Sequence, residues 1–206
     1  MSQEKPTVDR RSEIIEIATG LFLQTGFAGT PISAVASACG ITKATLYHHF
    51  TGKDQLFAAC VTHGYGTALE EVQKIARSDT DPEPKLRHVI DVLYDVTVTS
   101  SVGKMSPLIA EVSHAFPGVA QSFHQDYISP QEKLIQSIVD EGVEQGVFKP
   151  QDPRLLMHIL MGPIVTLSLS RQMFGALEDL DSHFPIEDLK TGHAEMLIQS
   201  LKRGGT

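Results

Sequence analysis

Several side chains between residues 40 and 50 could donate hydrogen bonds to a ligand. Leu46 and Phe50 have the i,i+4 spacing that predicts the buried face of one short helix, and Thr42 is a suitable N-cap for it. The outward positions carry mostly donors: Thr42, Lys43, Thr45, Tyr47 and His48. A helix that is anchored from behind and carries donors in front is suited to the phosphate oxygens and base edges of DNA.

Two further helices are predicted before this stretch and could hold it in place. Apolar residues at helical spacing from residue 9 onward predict the first, and Gly26 is typical of the position after a helix end. Thr30 and Pro31 suit the N-cap and first residue of the second helix, which Gly40 ends. Two short helices joined by a turn that contains glycine are typical of a helix-turn-helix. The prediction is therefore a three-helix unit of about 50 residues.

The distribution of charge is compatible with DNA binding, although the net charge of the 206-residue chain is −8. Residues 1–57 carry five basic and five acidic side chains, and residues 58–206 carry 12 basic and 20 acidic ones. The acidity therefore belongs to the larger C-terminal part. Arg10 and Arg11 lie at the start of the first helix, where the helix dipole favours acids. A phosphate neighbour and simple solvation are both open explanations for them.

This stretch resembles the DNA-binding domain of the TetR family of bacterial repressors. The matching positions are Gly26-Phe27, Thr30, Ile32, Val35-Ala36, Ala38, Gly40-Ile41, Thr45-Leu46-Tyr47, His49-Phe50, Lys53 and Leu56. The resemblance implies that the third helix enters the major groove, that Tyr47 and Lys53 contact phosphates, and that Thr30 donates to the DNA backbone. The residues that it implies for base edges or nearby phosphates are Thr42, Lys43, Thr45 and His48.

The expected division is a DNA-binding domain over residues 1–52 and a helical ligand-binding and dimerisation domain over 53–206, so the fold class is all-α. Periodicity predicts helices at about 53–77, 85–99, 105–115, 154–174 and 186–202. Pro130 should kink or split the segment 119–145, and 78–84 is predicted as a loop. Positions within 105–117 and 146–153 resemble the C-terminal domains of AefR-like members of the same family.

A second copy of the chain is an expected partner. The helix predicted at about 154–174 is apolar nearly all round and needs burial on more than one side. The TetR resemblance implies that this helix and the one at about 186–202 pair with their copies in a homodimer. No apolar run approaches the roughly 18 residues needed to cross a bilayer, so no membrane partner is expected. The expected location is the bacterial cytoplasm.

A small-molecule site is expected among the middle helices. Aromatic side chains with polar tips and other soft side chains are typical of mostly apolar ligand sites, although each could equally belong to the core. The candidates are Tyr65, Tyr94, Phe116, Phe123, His124, Tyr127 and Met161. Gly64 and Gly66, inside the long helix that joins the two domains, indicate either close packing or a hinge.

The remaining motifs predict no catalysis, no metal and no cofactor. His48 and His49 are helix neighbours that point in different directions, and no ligand spacing typical of zinc is present. The sequence therefore predicts a homodimeric repressor that a small apolar or weakly polar ligand releases from a palindromic operator. Two alternatives are a DNA-binding dimer without an effector, and an all-α small-molecule-binding protein or enzyme.

Overall fold

The computed structural model of the chain describes residues 9–203. Within this range the fold is all-α, as predicted, and an isolated bridge between Phe148 and Lys202 is its one strand-like pairing. The helices are α1 (Arg10–Gly29), α2 (Ile32–Ala38), α3 (Lys43–His49), α4 (Lys53–Arg77), α5 (Pro82–Tyr94), α6 (Ser106–Ala115), α7 (Pro117–Phe123), α8 (Ser129–Glu144), α9 (Pro153–Met173), α10 (Leu180–His183) and α11 (Ile186–Leu201). Short π-helical segments follow α5 and α7, at Asp95–Thr99 and His124–Ile128.

Prolines and capping residues account for most of the helix boundaries. Asp152 caps α9 through its carboxylate, which accepts from the backbone N–H groups of Arg154 and Leu155. Pro130 lies in the first turn of α8, so the predicted long segment is indeed split into two helices. The predicted loop over 78–84 is too long, because α5 begins at Pro82, where a missing N–H costs nothing.

Two compact units divide the chain by their internal contacts. The first contains the described residues up to Gly64 together with Leu108–Phe123, and the second contains Tyr65–Pro107 and the residues from His124 onward. The boundary predicted at residue 52 stays a prediction about function. By contacts, the first part of α4 belongs with the helix-turn-helix, and so does a segment from the middle of the chain.

The first unit has its own apolar core. Its buried side chains come from each of the first four helices: Ile14, Ala18, Phe22, Val35, Leu46, Leu56, Phe57 and Cys60. Fully burying a large apolar side chain stabilises a fold by about 1.5–3 kcal/mol. This core therefore holds the seven-residue α3 in place, although so short a helix would not form alone in water.

The second unit buries one face each of α5, α8, α9 and α11. The cluster includes Leu86, Val89, Ile90, Leu93, Ile135, Ile138, Val139, Leu156, Leu160, Ile164, Leu197, Ile198 and Leu201. Helix α9 has further apolar side chains outside this cluster, and only 33% of its most apolar window is buried. Contrary to expectation, α9 is long and apolar enough by length and composition to cross a membrane, a test that the core helices of globular proteins also meet.

Candidate nucleic-acid interface

Local chemistry explains why the chain between α2 and α3 turns where it does. Gly40 adopts φ +64°, which a residue with a side chain rarely does. The N–H of Ile41 then donates to the carbonyl oxygen of Ala36 at 2.9 Å, and the hydroxyl of Thr42 accepts from the N–H of Thr45 at 3.1 Å. The predicted helix-turn-helix and its capping threonine are present in the structure.

Helix α3 presents its donors on one exposed face. Leu46 and Phe50 are 1% and 2% exposed and anchor the opposite face in the core of the first unit. All five donor residues predicted on this helix are exposed: Thr42, Lys43, Thr45, Tyr47 and His48. Tyr47 is 51% exposed, an unusual position for a large aromatic side chain unless it has a surface role. This face can reach hydrogen-bond acceptors without any rearrangement of the core.

Lys53 opens α4 a few residues after α3 and is held against an aromatic ring. Its ammonium nitrogen lies 4.4 Å from the centre of the Phe27 ring and 3.5 Å from the carbonyl oxygen of Ala28. Partial burial lowers the pKa of Lys53 below its ordinary value. The predicted phosphate contact is thus a lysine with a defined position rather than a freely rotating side chain.

Thr30 departs from its prediction. It is 1% exposed, and its hydroxyl lies 2.7 Å from the carbonyl oxygen of Gly26, to which it donates, and 2.7 Å from the hydroxyl of Thr25. The cap of α2 is Pro31, with no side-chain hydrogen bond. The predicted N-cap is therefore wrong, and the structure contradicts the expectation that this side chain donates to DNA. Its single proton already satisfies a carbonyl group at the end of α1.

The two arginines at the start of α1 have structural contacts that the sequence did not predict. Arg10 pairs with Glu13 and donates to the carbonyl oxygen of Cys39, at the end of α2, at 2.6 Å. Arg11 places its guanidinium 4.9 Å from the centre of the Phe50 ring. Both side chains thereby brace α1 against the helix-turn-helix. Cys39 and Phe50 lie about 30–40 residues away from the two arginines in sequence, so local spacing gave no signal for these two contacts.

The structure brings together only some of the candidate ligand residues. Tyr65 and Tyr127 are buried in the second unit with ring centres 4.7 Å apart, and the Tyr65 hydroxyl lies 3.0 Å from that of Ser106. Burial raises the pKa of both tyrosines. Met161, also in this unit, accepts from the Gln131 amide at a sulfur distance of 3.8 Å. Half-buried Phe123 and exposed His124 lie at the end of α7 and just beyond it.

Two more of the seven candidates have other aromatic or polar partners, and their role in a ligand site stays a prediction. Phe116 belongs to the first unit and packs on Phe27, with ring centres 5.5 Å apart. Tyr94 lies in the second unit, where its hydroxyl is 3.2 Å from His193 Nδ1. These partners follow from the packing of the helices: α5 packs against α9 and α11, whereas the end of α6 belongs to the first unit.

Tyr94 lines a groove of about 480 Å³ on the face shared by α9 and α11. The side chains around it are mainly apolar and include Ile159, Pro163, Leu167, Leu189, Met196 and Leu197. Met196 is 77% exposed, and Ile159 and Leu189 are each 44% exposed. An apolar groove with exposed apolar rims is typical of a surface that another protein chain covers.

His193 has an environment that favours its neutral form. Its Nε2–H donates to the carbonyl oxygen of Ile159 at 3.3 Å, which leaves Nδ1 to accept from the Tyr94 hydroxyl. Burial lowers the pKa of His193 below 6.5, and the bond to Ile159 only partly opposes that change. Because the unfolded chain then binds the proton more readily, stability should fall as the pH drops through 6.5 and below.

We expect His193→Gln to reduce this acid sensitivity. Glutamine can still donate to Ile159 and accept from Tyr94, but it does not titrate. The loss of Tm between pH 7.5 and pH 5.5 should therefore be smaller in the variant than in the wild-type protein at equal protein concentration. Equal losses in the two proteins would show that His193 does not contribute to the pH dependence.

The described part of the chain contains no group of three or more His, Cys, Asp or Glu side chains that could hold a metal ion. Cys39 and Cys60 are both buried and unpaired. Burial raises the pKa of the Cys60 thiol to about 12.

A helix-turn-helix with an exposed donor face, joined by a long helix to a second helical unit, defines a DNA-binding transcriptional regulator. The model for bacterial regulatory proteins of the tetR family matches residues 14–60, and the model for the tetracyclin repressor-like C-terminal domain matches residues 79–205. The chain belongs to the TetR family, whose members are transcriptional regulators and not enzymes.

The relatives include both repressors and activators. The chain is 26% identical to the HTH-type regulator YhgD of Bacillus subtilis over 78% of this chain and 83% of that one. It is 24% identical to the repressor KstR2 of Rhodococcus jostii over 68% of each chain. The activator FasR of Mycolicibacterium smegmatis is 23% identical over 69% of this chain and 59% of its own length. Among these relatives, therefore, some repress transcription and some activate it.

Solved structures with the same fold include two with bound acyl-coenzyme A. FadR from Bacillus subtilis, in complex with stearoyl-CoA, has a TM-score of 0.75 at 18% identity over 92% of this chain and 98% of that one. AibR, in complex with isovaleryl coenzyme A and operator DNA, has a TM-score of 0.64 at 22% identity over 92% and 98%. TetR regulators bind operator DNA and small-molecule effectors, and they act as dimers.

Proposed function

We propose that this chain is a homodimeric repressor that binds a palindromic operator and leaves it when a small apolar or weakly polar ligand binds the second unit. The observation that carries the proposal is the exposed donor face of α3, which the core of the first unit holds in place. Each subunit would place α3 in a major groove while Tyr47 and Lys53 contact phosphates. Such a protein acts where the DNA is, in the bacterial cytoplasm.

The operator proposal is tested by selection from random DNA with the purified dimer. We expect a palindrome whose half-site centres are about 34–36 Å apart or a multiple of that distance. The two-fold symmetry of the dimer places its two α3 helices at a fixed distance from each other. Loss of reporter expression when the palindrome is placed in a promoter would show repression. Recovery of no preferred sequence would refute the proposal and favour the small-molecule-binding alternative.

The dimer is proposed to form through the exposed apolar face of α9 and α11. This face carries the groove beside Tyr94, and its exposed apolar side chains are Leu155, Ile159, Val165, Leu169, Leu189 and Met196. Burying such side chains against a second copy would stabilise the pair, since apolar burial contributes about 25 cal/mol per Å². The same contact would cover the part of α9 that the monomer leaves exposed.

We expect Met196→Asp to separate the dimer, because it places a charge on this apolar face. The variant should elute as a monomer at micromolar concentration with its helical content intact, and its affinity for the palindrome should fall by at least about 100-fold as joint binding of two half-sites is lost. Thr191→Asp is the matched control: it adds the same charge at an exposed position of α11 that does not line the groove. A Met196→Asp dimer would contradict the proposed interface.

The ligand is proposed to bind in the second unit near Tyr65 and Tyr127, which are buried and in ring contact. Acyl-coenzyme A in FadR and AibR supports a ligand with an apolar chain. Short, medium and long acyl-CoA thioesters should therefore be compared with free coenzyme A by thermal shift and by operator release. A thioester that both raises the Tm and releases the protein from the operator would support the proposal. An absence of stabilisation by any of them would favour a DNA-binding dimer without this class of effector.

A further inference from the structure

Four phenylalanines form an aromatic cluster in the first unit: Phe22, Phe27, Phe57 and Phe116. Phe27 lies at its centre, with ring centres 5.9 Å from Phe22, 5.3 Å from Phe57 and 5.5 Å from Phe116. Phe22 and Phe57 are completely buried, whereas Phe27 is half-buried and Phe116 is 40% exposed. Phe116 is therefore an outer member of the cluster.

The same central ring carries Lys53. The ammonium nitrogen lies 4.4 Å from the ring centre of Phe27, well within the distance of about 6 Å at which a cation is attracted by an aromatic face. The carbonyl oxygen of Ala28, 3.5 Å away, adds a second weak contact from the same turn. The position of the ammonium group therefore depends on the orientation of Phe27.

We propose that Phe116 is a positioning residue for operator binding: it fixes the ring of Phe27 and, through that ring, the ammonium group of Lys53. The inference rests on the proposed function, in which Lys53 contacts a DNA phosphate. A lysine side chain loses much rotamer freedom when it is fixed. A lysine that is already held on a ring gives up less of this freedom when it binds a phosphate, so pre-organisation increases affinity.

The exposure of Phe116 separates this role from ordinary core packing. A ring that is 40% exposed contributes less to the core than the buried Phe22 and Phe57, yet it covers one side of a half-buried neighbour. Removing it leaves the buried rings in place and frees Phe27 to turn. The expected defect is therefore local to Phe27 and Lys53, with the first unit still folded.

Nuclear magnetic resonance of the unliganded protein tests the positioning directly. With labelled lysine, the ε-methylene protons of Lys53 should show an upfield ring-current shift in the wild-type protein. Phe27→Leu should abolish that shift, Phe116→Ala should reduce it, and Phe116→Tyr should preserve it. His114→Ala, an exposed change in the last turn of α6, should leave it unchanged. An unchanged Lys53 signal in Phe116→Ala would overturn the proposal.

Operator binding tests the consequence. Phe116→Ala should weaken affinity about fivefold in the dimer, and Lys53→Met should reduce the slope of log affinity against log salt by about 1.8, for two lost phosphate contacts. In the Lys53→Met background, Phe116→Ala should have no further effect. If Phe116→Ala weakened affinity equally in both backgrounds, the positioning role of Phe116 would be overturned, while the proposed function would stand. An operator affinity that Lys53→Met leaves unchanged would refute the docking of the interface and, with it, this role.

Discussion

A chain in which Tyr47 and Lys53 are both replaced by alanine is expected to lose operator binding while it remains a folded dimer. Tyr47 is half-exposed on α3, and Lys53 is the first residue of α4, the helix that follows α3. Each proposed phosphate contact is worth on the order of 1 kcal/mol, so four contacts in the dimer correspond to about 4 kcal/mol, or about a thousandfold in affinity. Fluorescence anisotropy with the selected palindrome measures this loss.

This double substitution should not change the stability of the fold, because Tyr47 is half-exposed and neither residue belongs to the buried core. The Tm and the elution volume should therefore remain close to those of the wild-type protein. His63→Ala, an exposed change further along α4, serves as the matched control and should bind DNA normally. Tight, specific binding by the double variant would show that the helix-turn-helix binds DNA in a different orientation, without these two contacts.

Glu141→Ala is expected to destabilise the second unit strongly. Lys85 is 3% exposed, and its ammonium group lies 2.7 Å from the Glu141 carboxylate and 3.4 Å from the carbonyl oxygen of Ala76. Removing the carboxylate leaves a buried cation with one weak acceptor, a change that typically costs 3–5 kcal/mol. The Glu141 side chain is 34% exposed, so we expect a loss at the low end, about 3 kcal/mol.

Urea unfolding at one fixed protein concentration measures this loss, since the stability of a dimer depends on concentration. The double variant Lys85→Met, Glu141→Ala should recover most of it, because methionine fills the space without an unpaired charge. Glu144→Ala, which removes an exposed acid from the same helix, should change the free energy of unfolding by less than about 0.5 kcal/mol. A double variant no more stable than Glu141→Ala would contradict the account of an uncompensated lysine.

Local chemistry was enough to predict much of the fold. Thr42 caps α3, Gly40 adopts a positive φ in the turn before it, and Pro130 lies at the start of α8. Each of these features depends on a few neighbouring residues, so its physical cause is local in the sequence. The amphipathic pattern of α3 likewise predicted which of its side chains face outward.

Long-range packing explains where the predictions failed. Thr30 has the residue type of an N-cap, but the fold buries it against the end of α1. The contact of Phe116 with Phe27 was not predicted either. Arg10 reaches a carbonyl group 29 residues away in sequence. No periodicity carries such information, because the choice of partner depends on how separate helices meet.

The sequence by itself determined that the chain is all-α with a donor-bearing third helix, since helix periods, caps and glycine turns are local properties. Its resemblance to the TetR family added the expected role as a regulator. The tertiary structure alone decided that Thr30 is buried and that the Phe27 ring holds Lys53. Exposure and orientation arise when distant segments pack together. Lys53 shows both contributions: its place beside α3 is a matter of sequence, whereas the ring that holds its ammonium group belongs to a cluster completed by residue 116.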